Sequence, residues 1–197
     1  MASAGQDDSE VEWIRRVQRG DREAYGPLVD RYQRRIFAVV YRVLRRREDV
    51  EEIAQEIFLK AYLAAGTYNF ESSFGTWLMR IAVNHCYDHL RRRRSSKVTY
   101  FSEMSEVGER AVLAGSESRE TSGDRLEQQL ESQDLVEKLL ERAPAEDRVI
   151  LTLKELEDMS VKEIAEVLEL NAGTVKVRLH RARKRMLEDY RRSRRGR

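Results

Sequence analysis

The stretch that decides the fold is Ser160 to Lys184, SVKEIAEVLELNAGTVKVRLHRARK. Ser160 and Glu163 have capping-box spacing, in which the hydroxyl and the carboxylate each satisfy an orphan backbone N–H at a helix start. The helix opened there is expected to face Ile164, Ala165 and Leu168 inward. Leu170-Asn171-Ala172-Gly173 breaks it, with Asn171 able to cap the next helix, and from Thr174 the pattern is helical again. At about 100° per residue, Val175, Leu179, Ala182 and Met186 share one face, while Lys176, Val177, His180, Arg181 and Lys184 lie on the other. Two short helices about a tight turn, the second strongly basic, predict a helix-turn-helix. Its apolar face docks on the capping-box helix and leaves the opposite face to a major groove. Arg181 and Lys176 can donate to base edges, Val177 can meet a thymine methyl, and Thr174, His180 and Lys184 complete the candidate set. Between Lys176 and Arg197 eleven basic residues stand against Glu188 and Asp189, a density that implies phosphate contacts and steep salt dependence.

Upstream of this unit, Leu135, Leu139 and Leu140 mark one helix, and Pro144, tolerated in a first turn, opens another through Val149, Leu151 and Leu153. Residues 95–133 are different in kind: serine-rich, with eight acidic residues against four basic ones. Such a stretch cannot bury enough apolar surface to offset the entropy of ordering it and reads as a flexible acidic linker. The N-terminal part is helical by period: a helix from near Ser9 with Val11, Ile14 and Val17 on one stripe, stopped at Gly20; Asp21 as the next cap; then Leu28, Val29, Tyr32, Ile36, Phe37, Val40, Val43 and Leu44; then Val50–Ala64 with Ile53, Ile57, Phe58 and Ala61 buried; then Phe74–Arg94. The expected organisation is a disordered 1–9, a helical module 10–94, the linker 95–133, a helix-turn-helix module 134–192 and a basic tail 193–197.

Composition agrees. The chain has 197 residues, two prolines and 41% hydrophobic content, enough for two small all-α domains. The 37 Lys+Arg nearly cancel 35 Asp+Glu, for a net charge of +2. Thirty of those bases are Arg, whose planar fork suits phosphate and guanine. No apolar run approaches the roughly 20 residues of a membrane span. The single cysteine, Cys86, excludes an intrachain disulfide and fits a reducing compartment. His85, Cys86 and His89 lack a further ligand at suitable spacing, so no metal is expected. Without a phosphate-binding glycine loop, nucleophile elbow or paired carboxylates, no catalysis and no cofactor are expected either.

Two surfaces of the first module carry chemistry. Glu52, Gln55 and Glu56 fall at i, i+3 and i+4, opposite the apolar stripe, within an acidic run that includes Asp49 and contains no base from Glu48 to Glu56. That face calls for an Arg-rich partner. Tyr68, Phe70, Phe74 and Trp77 lie beside Arg80 and Arg91 to Arg94, a combination on which unpaired bases stack while cations hold the backbone. Phe74 and Trp77, at helical spacing, fit a core equally well.

Asp49-Val50-Glu51-Glu52-Ile53-Ala54-Gln55-Glu56-Ile57-Phe58-Leu59-Lys60-Ala61-Tyr62, Phe74-Gly75-Thr76-Trp77-Leu78, Ile81-Ala82-Val83-Asn84, Ser160 to Ala165, Gly173-Thr174-Val175-Lys176 and Arg181-Ala182-Arg183 together resemble the extracytoplasmic-function (ECF) sigma factors, over both modules and in order. The resemblance implies a bacterial transcription initiation factor, acting in the cytoplasm at the nucleoid. Its first module would be region 2, which binds core RNA polymerase and opens the minus-10 element, and its second region 4, which reads the minus-35 element. It implies that Asp49, Glu52, Gln55 and Glu56 meet the clamp helices of the largest polymerase subunit, with region 4 on the flap of the second-largest. Residues 68 to 73, with Asn69 and Ser73 beside the aromatics, would surround an extruded base, and Asn84, Arg80 and Arg91 would contact minus-10 DNA. Asp88 would orient neighbouring basic groups. An anti-sigma factor is the implied regulator. Lys176-Val177 departs from the Arg-Ser or Lys-Ser that the family often carries. A stand-alone helix-turn-helix regulator is the alternative, and it accounts for 134–192 alone.

Overall fold

The computed structural model describes residues 4–103, 138–140 and 142–195, with side chains for 8–93, 138–140 and 142–192. Among the described residues the chain is all-α, with no strand. Helix α1 (Ala4–Gln18) closes in a Schellman arrangement: Gly20 has φ +94°, its N–H meets Val17 C=O, and Asp21 N–H meets Arg16 C=O. The Asp21 carboxylate accepts from the N–H groups of Glu23 and Ala24 and so caps the short 3₁₀ turn Glu23–Tyr25. Helix α2 (Gly26–Leu44) begins with Pro27 in its first turn and ends at Arg45, which is left-handed at φ 61°. Helices α3 (Arg47–Ala64) and α4 (Phe74–Glu103) complete the first module. Its core joins Ile36, Val39, Val40 and Val43 of α2, Ile53, Ala54 and Ile57 of α3, and Leu78, Met79, Ala82 and Val83 of α4. Val39, fully buried, is a core residue the period did not single out, and Phe37, expected inside, is among the exposed apolar side chains.

In the second module, α5 (Ala145–Leu151) runs into a π turn, Thr152–Leu156, before α6 (Val161–Leu168) and α7 (Ala172–Arg195). Both halves of the Ser160/Glu163 capping box form. Glu169, left-handed at φ 53°, ends α6, and Asn171 Oδ1 caps α7 by accepting from Thr174 N–H at 2.7 Å. The inward pair on α6 is Ile164 with Val167, whereas Ala165 and Leu168 are only partly buried. The helix turns them to the edge because its apolar face is centred one residue away from the line that the sequence pattern predicts.

Two boundaries differ from expectation. Residues 4–9, expected to be disordered, form the first turns of α1. Helix α4 does not stop at Arg94 but continues to Glu103, because no Pro or Gly occurs between Thr76 and Val107 to break it. The remainder of the linker, most of the Leu135 helix and the end of the basic tail lie outside the described residues.

The modules are docked. Helix α6 packs along α4, and α5 and the π turn pack on α2. The π turn and a left-handed Asp158 (φ 49°) bring Glu157 against α2, where its carboxylate, 8% exposed, accepts from Arg35 Nε at 2.6 Å, with Arg42 at 3.9 Å. Arg148 reaches across from α5 to donate to Val43 C=O at 2.9 Å.

Candidate nucleic-acid interface

Helix α7 presents the two faces that its sequence implies. Val175, Leu179 and Ala182 are buried, while Lys176, Val177, His180, Arg181 and Lys184 are exposed and Thr174 is half-buried. Among the described residues, Lys176, Arg181 and Lys184 form no ion pair, so their charge is open to a ligand. Not every base of this helix is free. Arg183 donates to Glu155 at 2.6 Å and Arg185 to the buried Asp147 at 2.6 Å, and both brace the module. Val177 is 49% exposed, an apolar position in a basic surface.

In the first module the aromatic set divides. Tyr68, Phe74 and Trp77 are buried and pack edge or tilted on one another, with ring centroids 5.3–5.6 Å apart. They are core, and the expectation of direct base contact is corrected for Tyr68 and Phe74, whose rings are spent on packing, while Trp77 also reaches the wall of the loop cavity. Ser73 caps α4, its Oγ accepting from Thr76 N–H at 3.1 Å, so its hydroxyl is engaged at home. Phe70 is different. It is 40% exposed, sits at φ 63°, a costly conformation for a bulky side chain, and stacks between Tyr68 and the Arg15 guanidinium. Asn69, Asn84 and Arg91 are exposed, and Arg80 is half-buried. The loop is held from below by Gln18, whose Nε2 donates to the carbonyls of Ala65 and Tyr68. Gln18 was not singled out by the sequence, because a polar residue on the edge of an amphipathic stripe carries no signal of a partner 50 positions away. Thr67, Asn69, Glu71, Ser72, Thr76, Trp77 and Arg80 line a cavity of about 400 Å³, within the range of ligand pockets. Its remaining wall is Glu166, from α6 of the other module.

Gly75 explains why the Phe74-Gly75-Thr76 stretch fits here. A Cβ at this position would lie 3.1 Å from Tyr32 Cε1 and 3.3 Å from Arg35 Nη1, so α4 enters close against α2 only without one.

On α3 the four acidic-face candidates also divide. Glu52 and Gln55 are exposed, and Gln55 Nε2 donates to Glu51 at 3.5 Å. Asp49 faces Arg93 at 3.4 Å, His89 at 3.5 Å and Arg46 at 3.8 Å, and Glu56 is bonded to His85. Leu59 and Leu63, 59% and 73% exposed, continue the Glu52–Glu56 face by helical spacing. Apolar residues there were missed because the period assigns them to neither the core nor the charge pattern.

A helical module with a braced aromatic loop, joined to a helix-turn-helix with an open basic face, is the architecture of a two-part transcription factor. Comparison with known proteins places it further. Residues 28–96 match the Sigma-70 region 2 family and residues 133–186 the Sigma-70 region 4 family. The RNA polymerase sigma-H factor of Pseudomonas aeruginosa is 37% identical over 180 residues, covering 89% of this chain and 91% of that protein. The ECF RNA polymerase sigma factor SigW of Bacillus subtilis is 30% identical over 180 residues, covering 90% and 95%. The chain belongs to the ECF sigma factors and is a transcription initiation factor that works with RNA polymerase and promoter DNA. Sigma factors are transcription factors rather than enzymes. The same fold occurs in the sigma factor RpoE of Bartonella quintana, solved with the anti-sigma factor NepR (TM-score 0.63, 21% identity, covering 83% of this chain and 94% of that one). Among the described residues no helix is long and apolar enough to cross a membrane.

Proposed function

We propose that residues 10–94 act as region 2 and 134–192 as region 4, and that the sites divide between polymerase and the two promoter elements. Glu52 and Gln55, extended by Leu59 and Leu63, form the face for the clamp helices of the largest polymerase subunit. Asp49 and Glu56 support it, and region 4 docks on the flap of the second-largest subunit. In minus-10 DNA the extruded base enters the cavity beside Asn69 and Phe70, Asn84 contacts the next step, and Arg80 and Arg91 hold phosphates. Tyr68, Ser73, Phe74 and Trp77 shape that loop from beneath. Lys176, Val177, His180, Arg181 and Lys184 read the minus-35 duplex, with Thr174 at the helix start against a phosphate.

The observation that carries this reading is the separation of unspent charge: exposed Glu52 on α3, and Lys176, Arg181 and Lys184 without ion pairs on α7, among the described residues. Opposite free charges on one chain suit two partners of opposite sign. An anti-sigma factor, the cytoplasm with nucleoid association and a stress-response role are parts of the same reading. The test is run-off transcription from a promoter library with purified core polymerase. Discrete starts absent from the core-only control support it, and start sites no different from that control sink it. Binding of duplex DNA at equal strength without polymerase would favour the stand-alone regulator.

A further inference from the structure

Neither His85 nor His89 is expected to bind a metal, and each faces an acid of α3. His89 Nε2 lies 3.5 Å from Asp49 Oδ2, and His85, on the helix that carries Asn84, is tied more closely. His85 is 2% exposed, with Nε2 2.5 Å from Glu56 Oε2 and Nδ1 2.6 Å from Lys60 Nζ. An ammonium can only donate, so Nδ1 accepts, and the single ring proton sits on Nε2, aimed at the carboxylate. The ring is a neutral link between a cation and an anion that are themselves four residues apart. On a bare helix a Glu and a Lys at i and i+4 close on each other. Here, among the described residues, Glu56 and Lys60 form no ion pair with each other, and each is drawn to a different ring nitrogen. Glu56 stays 47% exposed, with its second oxygen not engaged by the ring.

We propose that His85 is a positioning residue for polymerase binding: its imidazole holds the Glu56 carboxylate outward on the α3 face, keeps Lys60 from neutralising it, and fastens that face to the minus-10 helix α4. The inference rests on the reading of α3 as the polymerase-facing surface. It gives a use to a buried titratable group that neither the core nor the DNA contacts require.

Protonation should undo the arrangement. Burial pushes His85 below the usual histidine value, Lys60 and Arg92 push the same way, and Glu56 opposes them. A second proton would enter on Nδ1, against the Lys60 ammonium, and would set a fixed positive charge beside the carboxylate.

The test measures binding of the full-length chain to core RNA polymerase for wild type, His85→Gln, His85→Leu and Glu52→Lys, from about pH 7.5 to 5.5. A glutamine amide can donate to Glu56 and accept from Lys60 but does not titrate. The expected result is that His85→Gln binds within about twofold of wild type, while His85→Leu, with its thermal midpoint retained, binds about ten- to thirtyfold more weakly, the lower end of what loss of one charge-assisted hydrogen bond implies. The ratio of wild-type to His85→Gln affinity should fall as pH falls, which removes the titration of polymerase itself from the comparison. Unchanged affinity in His85→Leu, with binding weakened in Glu52→Lys, overturns the proposal and leaves the α3 reading standing. No effect from Glu52→Lys either overturns both. Equal losses of stability and affinity in His85→Gln and His85→Leu reduce His85 to a packing residue and also overturn it. If His85→Leu fails to fold, His85→Ala with the same readout decides, and unchanged affinity there overturns the proposal.

Discussion

Replacing Glu157 by Gln tests whether one buried carboxylate holds the two modules together. The carboxylate is 8% exposed and accepts from Arg35 Nε at 2.6 Å, with Arg42 Nη1 at 3.9 Å; the two guanidiniums are 33% and 24% exposed. Hydrogen bonds to charged groups contribute about 1.5–3 kcal/mol. Because both arginines can rehydrate when the modules part, the lower end applies, and about 1.5–2 kcal/mol is expected from loss of the charge. At about 1.4 kcal/mol per factor of ten, the docked-to-separated ratio should fall about ten- to thirtyfold. The Arg148 bond to Val43 C=O remains in the variant, so docking is weakened rather than abolished. The assay is single-molecule energy transfer between dyes on Asp30→Cys and Lys162→Cys, exposed sites on opposite modules. The native Cys86 does not compete for label because it is buried. Wild type should show one high-transfer population, and Glu157→Gln should add a low-transfer one. Because Glu166 walls the loop cavity only in the docked arrangement, the free variant should also bind a single-stranded minus-10 oligonucleotide more tightly. Identical transfer distributions would refute the assignment of docking to Glu157. Separation without any gain in oligonucleotide affinity would refute the expectation that the Glu166 wall hinders entry to the cavity.

Three further outcomes are expected. Ser160→Ala removes half of the capping box and should cost about 1 kcal/mol in calorimetry. The Ser160 hydroxyl and N–H hold the Glu163 carboxyl below its usual range, with Thr76 and Arg35 helping, so its stabilisation is present above about pH 4.5 and lost as pH falls through the lower folded value; a Ser160→Ala acid-unfolding curve should be less steep there. Burial pushes the Cys86 thiol up to about 12, so a thiol reagent at about pH 8 should leave the native chain unmodified and label it only after denaturation; labelling at the rate of a free thiol would contradict the burial. Arg181→Ala should weaken binding to a minus-35 duplex and reduce the salt slope by about one if it meets a phosphate, or relax sequence preference with the slope unchanged if it meets a base.

Most of the fold is legible in the chain because helix period and local stop signals agree. Gly20, Asp21, Ser160, Glu163 and Asn171 all act at helix ends as their residue types dictate, through bonds that reach at most five positions. The features the sequence leaves hidden are longer in reach. The Gln18 bonds to Ala65 and Tyr68, and the Arg35 to Glu157 pair 122 positions apart, depend on how helices pack, and no periodicity encodes a partner at that distance. Composition misplaced the end of α4 for a related reason. Serine and acidic residues argue against a buried core, but they do not break a helix as Pro or Gly would.

Charge is the property whose reading changes most between chain and structure. A net charge of +2 reads as two opposed surfaces in the sequence, and every acid of the α3 face and every base of α7 then has an equal claim to a partner. Folding ranks them by what they already hold. Asp49 is shared by Arg46, His89 and Arg93, and Arg185 is bound to a buried Asp147, so recruiting either for an external partner would first cost an internal bond. Among the described residues, Glu52, Lys176, Arg181 and Lys184 hold no ion pair and carry no such cost. The same ranking applies to the aromatics. Tyr68, Phe74 and Trp77 have already lost their exposed surface to one another, while Phe70 keeps 40% of its own and occupies a strained backbone conformation to do so. A base arriving at this loop therefore finds the Phe70 ring exposed and Trp77 only as part of the cavity wall, and substituting Phe70 should affect oligonucleotide binding with less loss of stability than substituting any of the other three.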